Sequence, residues 1–350
     1  MTMNSIKLSR RTFSAVAALA ATAVVAPTLW AQPRLEKNKL SIAVGGKAAF
    51  YNLPLTIAEQ LGYFKAEGLD VAIHDFAGGS IALRAVVAGS AEVVSGAYEH
   101  TVRLQSRGQK FQAFVLQGRA PGIAFGIAPR HLPHYNTVAD LKGKKIGISA
   151  QESSTHTVAK LILARAGLKA SDVNFVAVGT AADALNAFRS GRLDALCNCD
   201  PVMTLLEQRN EIRIIADTRV LNGMRDVFGG PMPAGCLYAP QEFIQKNPAT
   251  VQALTNAIVH SLKWLQTAGP SDIVKVIPEN YLLGDRALYL ATFDKVRETI
   301  SPDGLMPSDG PRIALRALAS VEPEIKADKI QLTKTYTNEF ARKAKDRFNA

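Results

Sequence analysis

The sequence predicts an α/β protein of two doubly wound lobes joined by a two-strand hinge. Three observations predict it: short strands alternate with helices, one phrase of the chain occurs twice, and two Gly/Pro-rich stretches connect the copies.

The elements follow in order. "LSIAV" (40–44) reads as a strand, and "PLTIAEQLG" as a helix with Pro54 in its first turn and Gly62 as its stop. "LDVAIHDF" is apolar at Val71 and Ile73, a second strand. The junction Gly78-Gly79-Ser80 then opens a helix from about 81 to 88, Gly89 caps it, and a third strand covers 92–95. This short alternation calls for parallel packing. The phrase that returns is "LRAVVAGSAEVV" (83–94), which aligns without a gap on "LNAFRSGRLDAL" (185–196). The two share Leu83/Leu185, Ala85/Ala187, Gly89/Gly191 and an acid at Glu92/Asp194. Upstream of the second copy, "KKIGISA" is a strand, "SSTHTVAKLILARAG" a helix ended by Gly167, and "VNFVAVG" another strand. Residues 142–216 thus rebuild the order of 40–116. "QGRAPGIAFGI" (117–127) and "FGGPMPAG" (228–235) carry the chain between the lobes. Helices follow in "PATVQALTNAIVHSLKWLQTAG", in "ALYLATFDKVRETI" and in a polar segment from about 335, expected to pack largely on the first lobe. The expected division is a leader over 1–31, lobe 1 over 38–120, lobe 2 over 121–228, and 229–350 returning to lobe 1 with the C-terminal helices.

Composition agrees with a globular chain. With 350 residues, 47% hydrophobic and 20% charged, a sizeable core can be buried, and no low-complexity run suggests a fibrous or disordered protein. "SRRTF" followed by a charge-free, alanine-rich stretch to Ala31 reads as a signal peptide, and Arg10-Arg11 resemble the twin-arginine type. Cleavage near Ala31 and export to the periplasm are expected. Taking Lys7, Arg10 and Arg11 from 41 basic residues leaves 38 against 30 acidic, a dispersed net +8. No Lys/Arg-rich run of the nucleic-acid type follows the leader, so no nucleic-acid partner is expected, while a mildly positive field favours an anionic solute.

Three cysteines, Cys197, Cys199 and Cys236, are too few for a disulfide scaffold, and their number is odd. Cys197, Cys199 and Asp200 lack a second Cys/His pair at ligand spacing, so buried thiols are expected rather than a metal site. No G-x-S-x-G or H-E-x-x-H is present, and "GGKAAF" lacks the spacing of a phosphate-binding loop. A non-enzyme without a cofactor is the expectation.

The small junctions suggest what is bound. A helix N-terminus offers unpaired N–H groups and partial positive charge to an anion only where no bulky side chain intervenes. Gly78 and Gly79 allow that approach, and Ser80 adds a hydroxyl and a cap; "QESSTH" repeats the arrangement with Ser153, Ser154 and Thr155. A tight turn alone also explains Gly-Gly-Ser. Two such edges facing across a hinge would close on a small anion.

The motifs "YNLPLTIAEQLGYFKAEGLDVAI", "FAGGSIALRAVVAGSAEVVSGAYEH", "DLKGKKIGIS" and "FRSGRLDALCNCDP" resemble those of the ABC-importer substrate-binding proteins for sulfonates, taurine, nitrate and thiamine-precursor pyrimidines. The resemblance runs from 40 to about 239 and implies the type II periplasmic binding fold, an ABC permease with its ATPase as partners, and a small anionic organic ligand, sulfonate first. A monomer is expected. The resemblance implies ligand contacts at Phe50, Tyr51 and Asn52, at Gly78, Gly79 and Ser80, at Ser95 and Gly96, and, from the second lobe, at Ser153, Ser154, Thr155 and near Asp200. His100 with Glu99 follows a strand end and suits an amine or hydroxyl on the ligand, or is a helix first turn matching the dipole. Arg119 and Arg225 lie near the hinge segments, where either suits an anion or a surface ion pair. Some eukaryotic proteins of the same resemblance make the thiamine pyrimidine and carry a cysteine-rich run where this chain keeps "CNCDP". A pyrimidine binder, such an enzyme, or a sensory binder presenting its ligand to a receptor are the alternatives.

Overall fold

Apolar strands separated by helices assemble into two five-stranded sheets in this computed structural model, which describes residues 34–350. The expected leader and its cleavage point lie outside the described residues. The strands are β1 (Lys39–Gly45), β2 (Asp70–Phe76), β3 (Val93–Ala97), β4 (Phe111–Leu116), β5 (Ile123–Ile127), β6 (Lys145–Ile148), β7 (Asn174–Ala177), β8 (Ala195–Cys199), β9 (Arg213–Asp217) and β10 (Gly235–Pro240). One sheet runs β2-β1-β3-β10-β4 and the other β7-β6-β8-β5-β9. In each, the fourth strand runs antiparallel to its neighbours and comes from the far side of a crossing segment. β10 pairs Cys236 with Gly96 of β3 and Leu116 of β4, and β5 pairs Phe125 with Cys197 of β8 and Ala216 of β9. The architecture is the two-lobed α/β arrangement expected.

The helices are α1 (Leu53–Gln60), α2 (Tyr63–Ala66), α3 (Gly79–Val87), α4 (Glu99–Ser106), α5 (Ser154–Arg165), α6 (Ala182–Arg189), α7 (Val202–Gln208), α8 (Leu221–Phe228), α9 (Gln241–Lys246), α10 (Pro248–Thr267), α11 (Pro270–Val276), α12 (Arg286–Val296), α13 (Gly310–Ala319) and α14 (Glu339–Phe348). None among the described residues is long and apolar enough to cross a membrane.

The repeated phrase has a physical meaning. Leu83 and Leu185 are buried on α3 and α6, and Gly89 and Gly191 take φ of 80° and 78°, the left-handed turn that ends each helix. The shared acid then reaches the neighbouring strand. Glu92 accepts the Ser41 amide at 2.7 Å, and Asp194 accepts the Lys145 amide at 2.8 Å. Each anchors a strand edge at the same place in its sheet.

The C-terminal helices cover the first lobe and touch the second. α10 packs on α1, α2 and β4, α14 lies along α10, and α13 contacts α4. α12 instead reaches α7, with Leu288 in the apolar cluster of Met203 and Leu206. The final helix begins at Glu339, later than the expected 335. Ala113 donates to the Thr335 carbonyl at 3.0 Å and Thr337 to the Ala113 carbonyl at 2.8 Å, so this stretch first satisfies the open edge of β4.

Candidate functional site

The lobes meet at the C-terminal ends of β1, β3, β6 and β8, the edge where an open α/β sheet binds ligands. Between them lies a cavity of about 30 Å³. Lobe 1 contributes Tyr51 and Asn52 from the turn after β1, Gly79 from α3, Ser95 and Gly96 from β3, and His100 from α4. Ser153, Ser154 and Thr155 at the start of α5, with Ser149, Thr180 and Cys199, form the facing wall. No lysine, arginine or carboxylate lines it. A wider groove of about 500 Å³ at the rim, between α3 and α6, shares Ser149 with this cavity.

Glycines let the lobes approach. A Cβ on Gly78 would sit 2.7 Å from the Ala150 Cβ, and one on Gly46 would sit 1.8 Å from Thr180 Oγ1. The opening of α3 is therefore used otherwise than the sequence suggests. The Ser80 amide donates to Ser153 Oγ at 3.1 Å, and the Ser80 hydroxyl donates to the Gln151 carbonyl at 2.5 Å. Ser153 thus caps α3 from the other lobe, and Gly78 and Ser80 lie outside the cavity lining.

The N-terminus of α5 is less occupied. Ser153 makes no cap hydrogen bond to its own helix, and the Ser154 and Thr155 amides find no acceptor among the described residues. The Thr155 hydroxyl is engaged with the Ser149 amide at 2.9 Å and the Ser149 hydroxyl at 2.8 Å.

Two side chains face the cavity with a buried polar atom that has no partner: Tyr51 through its hydroxyl and His100 through Nε2. Such atoms are rare in folded proteins, because each forfeits a hydrogen bond to water. His100 Nδ1 lies 2.8 Å from the Tyr238 hydroxyl, which has no other acceptor among the described residues. With Tyr238 donating to Nδ1, the proton of the neutral ring sits on Nε2. Burial, reinforced by the Arg103 charge, holds this histidine down at about 3, so it stays neutral. Burial and the neighbouring Glu99 charge push the Tyr51 phenol well up, keeping it a donor; the nearby Ser154 hydroxyl works the other way. Glu99, buried beneath the cavity at the start of α4, has its carboxyl pushed up by burial, against the Ser154 hydroxyl and Arg103.

Asn52 and Ser95 are committed elsewhere. Asn52 Nδ2 donates to the Gly45 and Gly46 carbonyls at 3.2 and 3.0 Å, and its Oδ1 accepts from Ser95 Oγ at 3.3 Å. Like Gly78 and Ser80, two further expected residues, Phe50 and Asp200, fall outside the lining. Phe50 packs tilted against Tyr289, with ring centroids 4.4 Å apart, and so joins the core of the C-terminal helices. Asp200 caps α7 through the Thr204 amide at 2.8 Å and pairs with Arg219 at 3.4 Å. Arg219 is fully buried and also bonds Asp217, Glu207 and Thr204, a hub that sequence spacing does not reveal. Across the cleft, Asp200 contributes only its carbonyl, which accepts the Phe50 amide at 3.0 Å.

Neither hinge arginine reaches the cavity. Arg119 donates to the Glu298 carbonyl at 2.7 Å, and Arg225 is exposed beside Asn222. The cation that matters to the cleft is Arg103, which forks onto Glu322 and also donates to the Glu152 carbonyl and Thr157 across the lobes. All three cysteines are free and buried; burial with the Asp200 charge pushes the Cys199 thiol up to about 12. No cluster of three metal-ligating side chains occurs among the described residues.

Comparisons with known proteins agree with this fold. A protein of known structure from Bordetella bronchiseptica RB50 is 56% identical, with a TM-score of 0.89, covering 91% of this chain and 100% of its own. YtlA of Bacillus subtilis, named for a binding role, is 24% identical over 77% of this chain and 79% of its own. The fold is also that of the alkanesulfonate-binding protein SsuA from Xanthomonas axonopodis pv. citri bound to MOPS (TM-score 0.66, 19% identity, covering 87% of this chain and 100% of that one). The family model described as NMT1/THI5 like matches residues 49–270, well over half of the sequence, and the chain belongs to the NMT1/THI5-like family.

Proposed function

We propose that this chain is an exported solute-binding protein that captures a small organic anion, a sulfonate first, between its lobes and delivers it to an ABC permease and its ATPase. One observation carries the reading. Tyr51 and His100, each with a buried, unpartnered donor, face an interlobe cavity beside the uncapped start of α5. Neutral donors and helix amides hold a compact anion without a buried countercharge, whose desolvation would offset the attraction. The same residues offer little to catalysis. His100 stays neutral, and the buried Cys199 thiol is no nucleophile near pH 7.

The lobes lie in direct contact, and the cavity is far smaller than a typical ligand pocket of about 300 Å³ or more. Loading therefore requires opening, and a ligand that bonds both lobes selects the closed state. The test is a thermal-shift screen of the mature protein, refolded from denaturant to strip carried-over solute. Alkyl and aryl sulfonates, taurine, nitrate, aromatic carboxylates and aminopyrimidines form the panel. A ligand at about 100 times its Kd adds roughly 2.7 kcal/mol, a shift of several degrees. Stabilisation by aminopyrimidines alone replaces the sulfonate reading, and silence across the panel defeats it.

A further inference from the structure

We propose that a second, smaller cavity behind the Tyr51 ring is a ligand subsite that receives the far end of the bound anion and accepts a hydrogen bond from it at Gln117 Oε1. This rests on the reading of the main cavity as the site of the anionic head. That cavity, at about 30 Å³, is far below the roughly 300 Å³ of a typical ligand pocket and leaves no room for an organic body in the closed state. The second cavity measures about 20 Å³, and Tyr51 lines both. Its other walls include Phe50, Pro54, Val296 and Ile300, apolar apart from Gln117 and a threonine. The Tyr51 ring is the partition. Gly235 makes room for it, since a Cβ there would lie 3.2 Å from Tyr51 Cε1. Because the two spaces share the Tyr51 wall, opening of the lobes would join them into one slot past the ring, polar at the end where the Tyr51 hydroxyl sits and apolar along its length.

A chain of hydrogen bonds fixes which way Gln117 points. The Gly45 and Gly46 carbonyls accept only, so Asn52 turns Nδ2 to them and Oδ1 to Ser95. Ser95 must then donate to Asn52, which leaves its oxygen to accept from Gln117 Nε2 at 2.9 Å. Gln117 Oε1 is thereby left facing away from Ser95. The residue is 1% exposed and lines the second cavity, and this oxygen has no partner. A buried, oriented, unpartnered acceptor calls for an N–H or O–H. The ligand class is accordingly a short anion with a donor at its far end, an ω-hydroxy or ω-amino organic anion, not a plain alkyl one. The subsite also touches Gly118, Gly122 and Gly235 in the two crossing segments, so its occupant braces the hinge.

The experiment is titration calorimetry on the stripped mature protein with n-alkanesulfonates of two to five carbons and their ω-hydroxy counterparts. The wild type should bind the hydroxylated member of at least one pair about tenfold more tightly, one hydrogen bond's worth. Gln117→Leu should erase that preference while changing the plain chain's affinity by less than about threefold. Should Gln117→Leu not fold, Val296→Leu adds one methylene to the opposite wall without touching the hydrogen-bond chain, and must weaken the hydroxylated ligand. Equal binding of every pair by the wild type, or a preference that survives in both variants, overturns the subsite alone. If no member binds, the anion-head reading falls first and the subsite with it.

Discussion

Glu322→Gln removes the central charge of a cluster that ties three parts of the chain together. Arg103 on α4 donates to both Glu322 oxygens at 2.9 and 2.8 Å, and Lys160 on α5 donates at 2.8 Å. Burial alone would push this carboxyl up, but the Arg103 fork and Lys160 outweigh it and hold it at about 2 instead of its ordinary 4.5. At about 1.4 kcal/mol per pH unit, that difference is worth about 3 kcal/mol of stability. The carboxyl is held down, so the contribution is complete above pH 4.5 and is lost as pH falls through about 2. Urea unfolding of the protein from pH 7 to pH 2 measures it. At pH 7 the variant should be less stable by about 3 kcal/mol, because Arg103 is left buried without its partner. Other held-down carboxylates, Glu92, Glu152 and Asp217, lower the stability of both proteins in acid, so the gap between the two curves is the readout. That gap should close towards pH 2. A variant as stable as the wild type at pH 7, or a gap that does not narrow on acidification, refutes the reasoning.

Other outcomes follow from the site. Tyr51→Phe deletes one unpartnered donor and should weaken anion binding by roughly 1.5 to 3 kcal/mol with little change in unfolding midpoint; unchanged calorimetric affinity removes the hydroxyl from the site. Anion affinity should fall as pH rises through the elevated Glu99 value, because the ionised carboxylate then repels the ligand, and Glu99→Gln should flatten that profile. His100, held at about 3, does not titrate in the same window. Gly78→Val places side-chain atoms where Ala150 already sits at 2.7 Å, so the lobes should part; small-angle scattering at saturating ligand should show a larger radius of gyration than the wild type.

The layered order and the repeat were legible because periodicity and glycine stops are local signals. Glu92 and Asp194 stood out in the sequence as a matched pair, and the structure gives both the same bond to a neighbouring strand. What local signals do not contain is which hydrogen-bond partner arrives from the other lobe. Ser80 and Ser153 each look free to bind a ligand, yet they bind one another once the lobes meet. Asp200 has the composition of a site residue, and only the fold brings Arg219 to it. Phe50 and Tyr51 are adjacent aromatics that the turn after β1 separates: Tyr51 lines the interlobe cavity, while Phe50 packs against Tyr289 outside it. Gln117 gave no signal, because its orientation depends on Ser95, Asn52 and two backbone carbonyls acting in sequence.

The strand exchanged between the sheets also sets a timetable for synthesis. All five strands of the second sheet come from one continuous stretch, Ile123 in β5 to Asp217 in β9, so that sheet can complete itself while the ribosome is still translating. The first sheet cannot, because β10 must slide between β3 and β4 after both have long left the exit tunnel. The nascent chain therefore carries an unfinished sheet whose gap exposes two apolar edges until residue 240 is made. Ribosome-stalled chains long enough to bring residue 228 out of the exit tunnel, but not β10, should hold a protease-resistant second lobe and a labile first one, and the first should become resistant only when β10 has emerged.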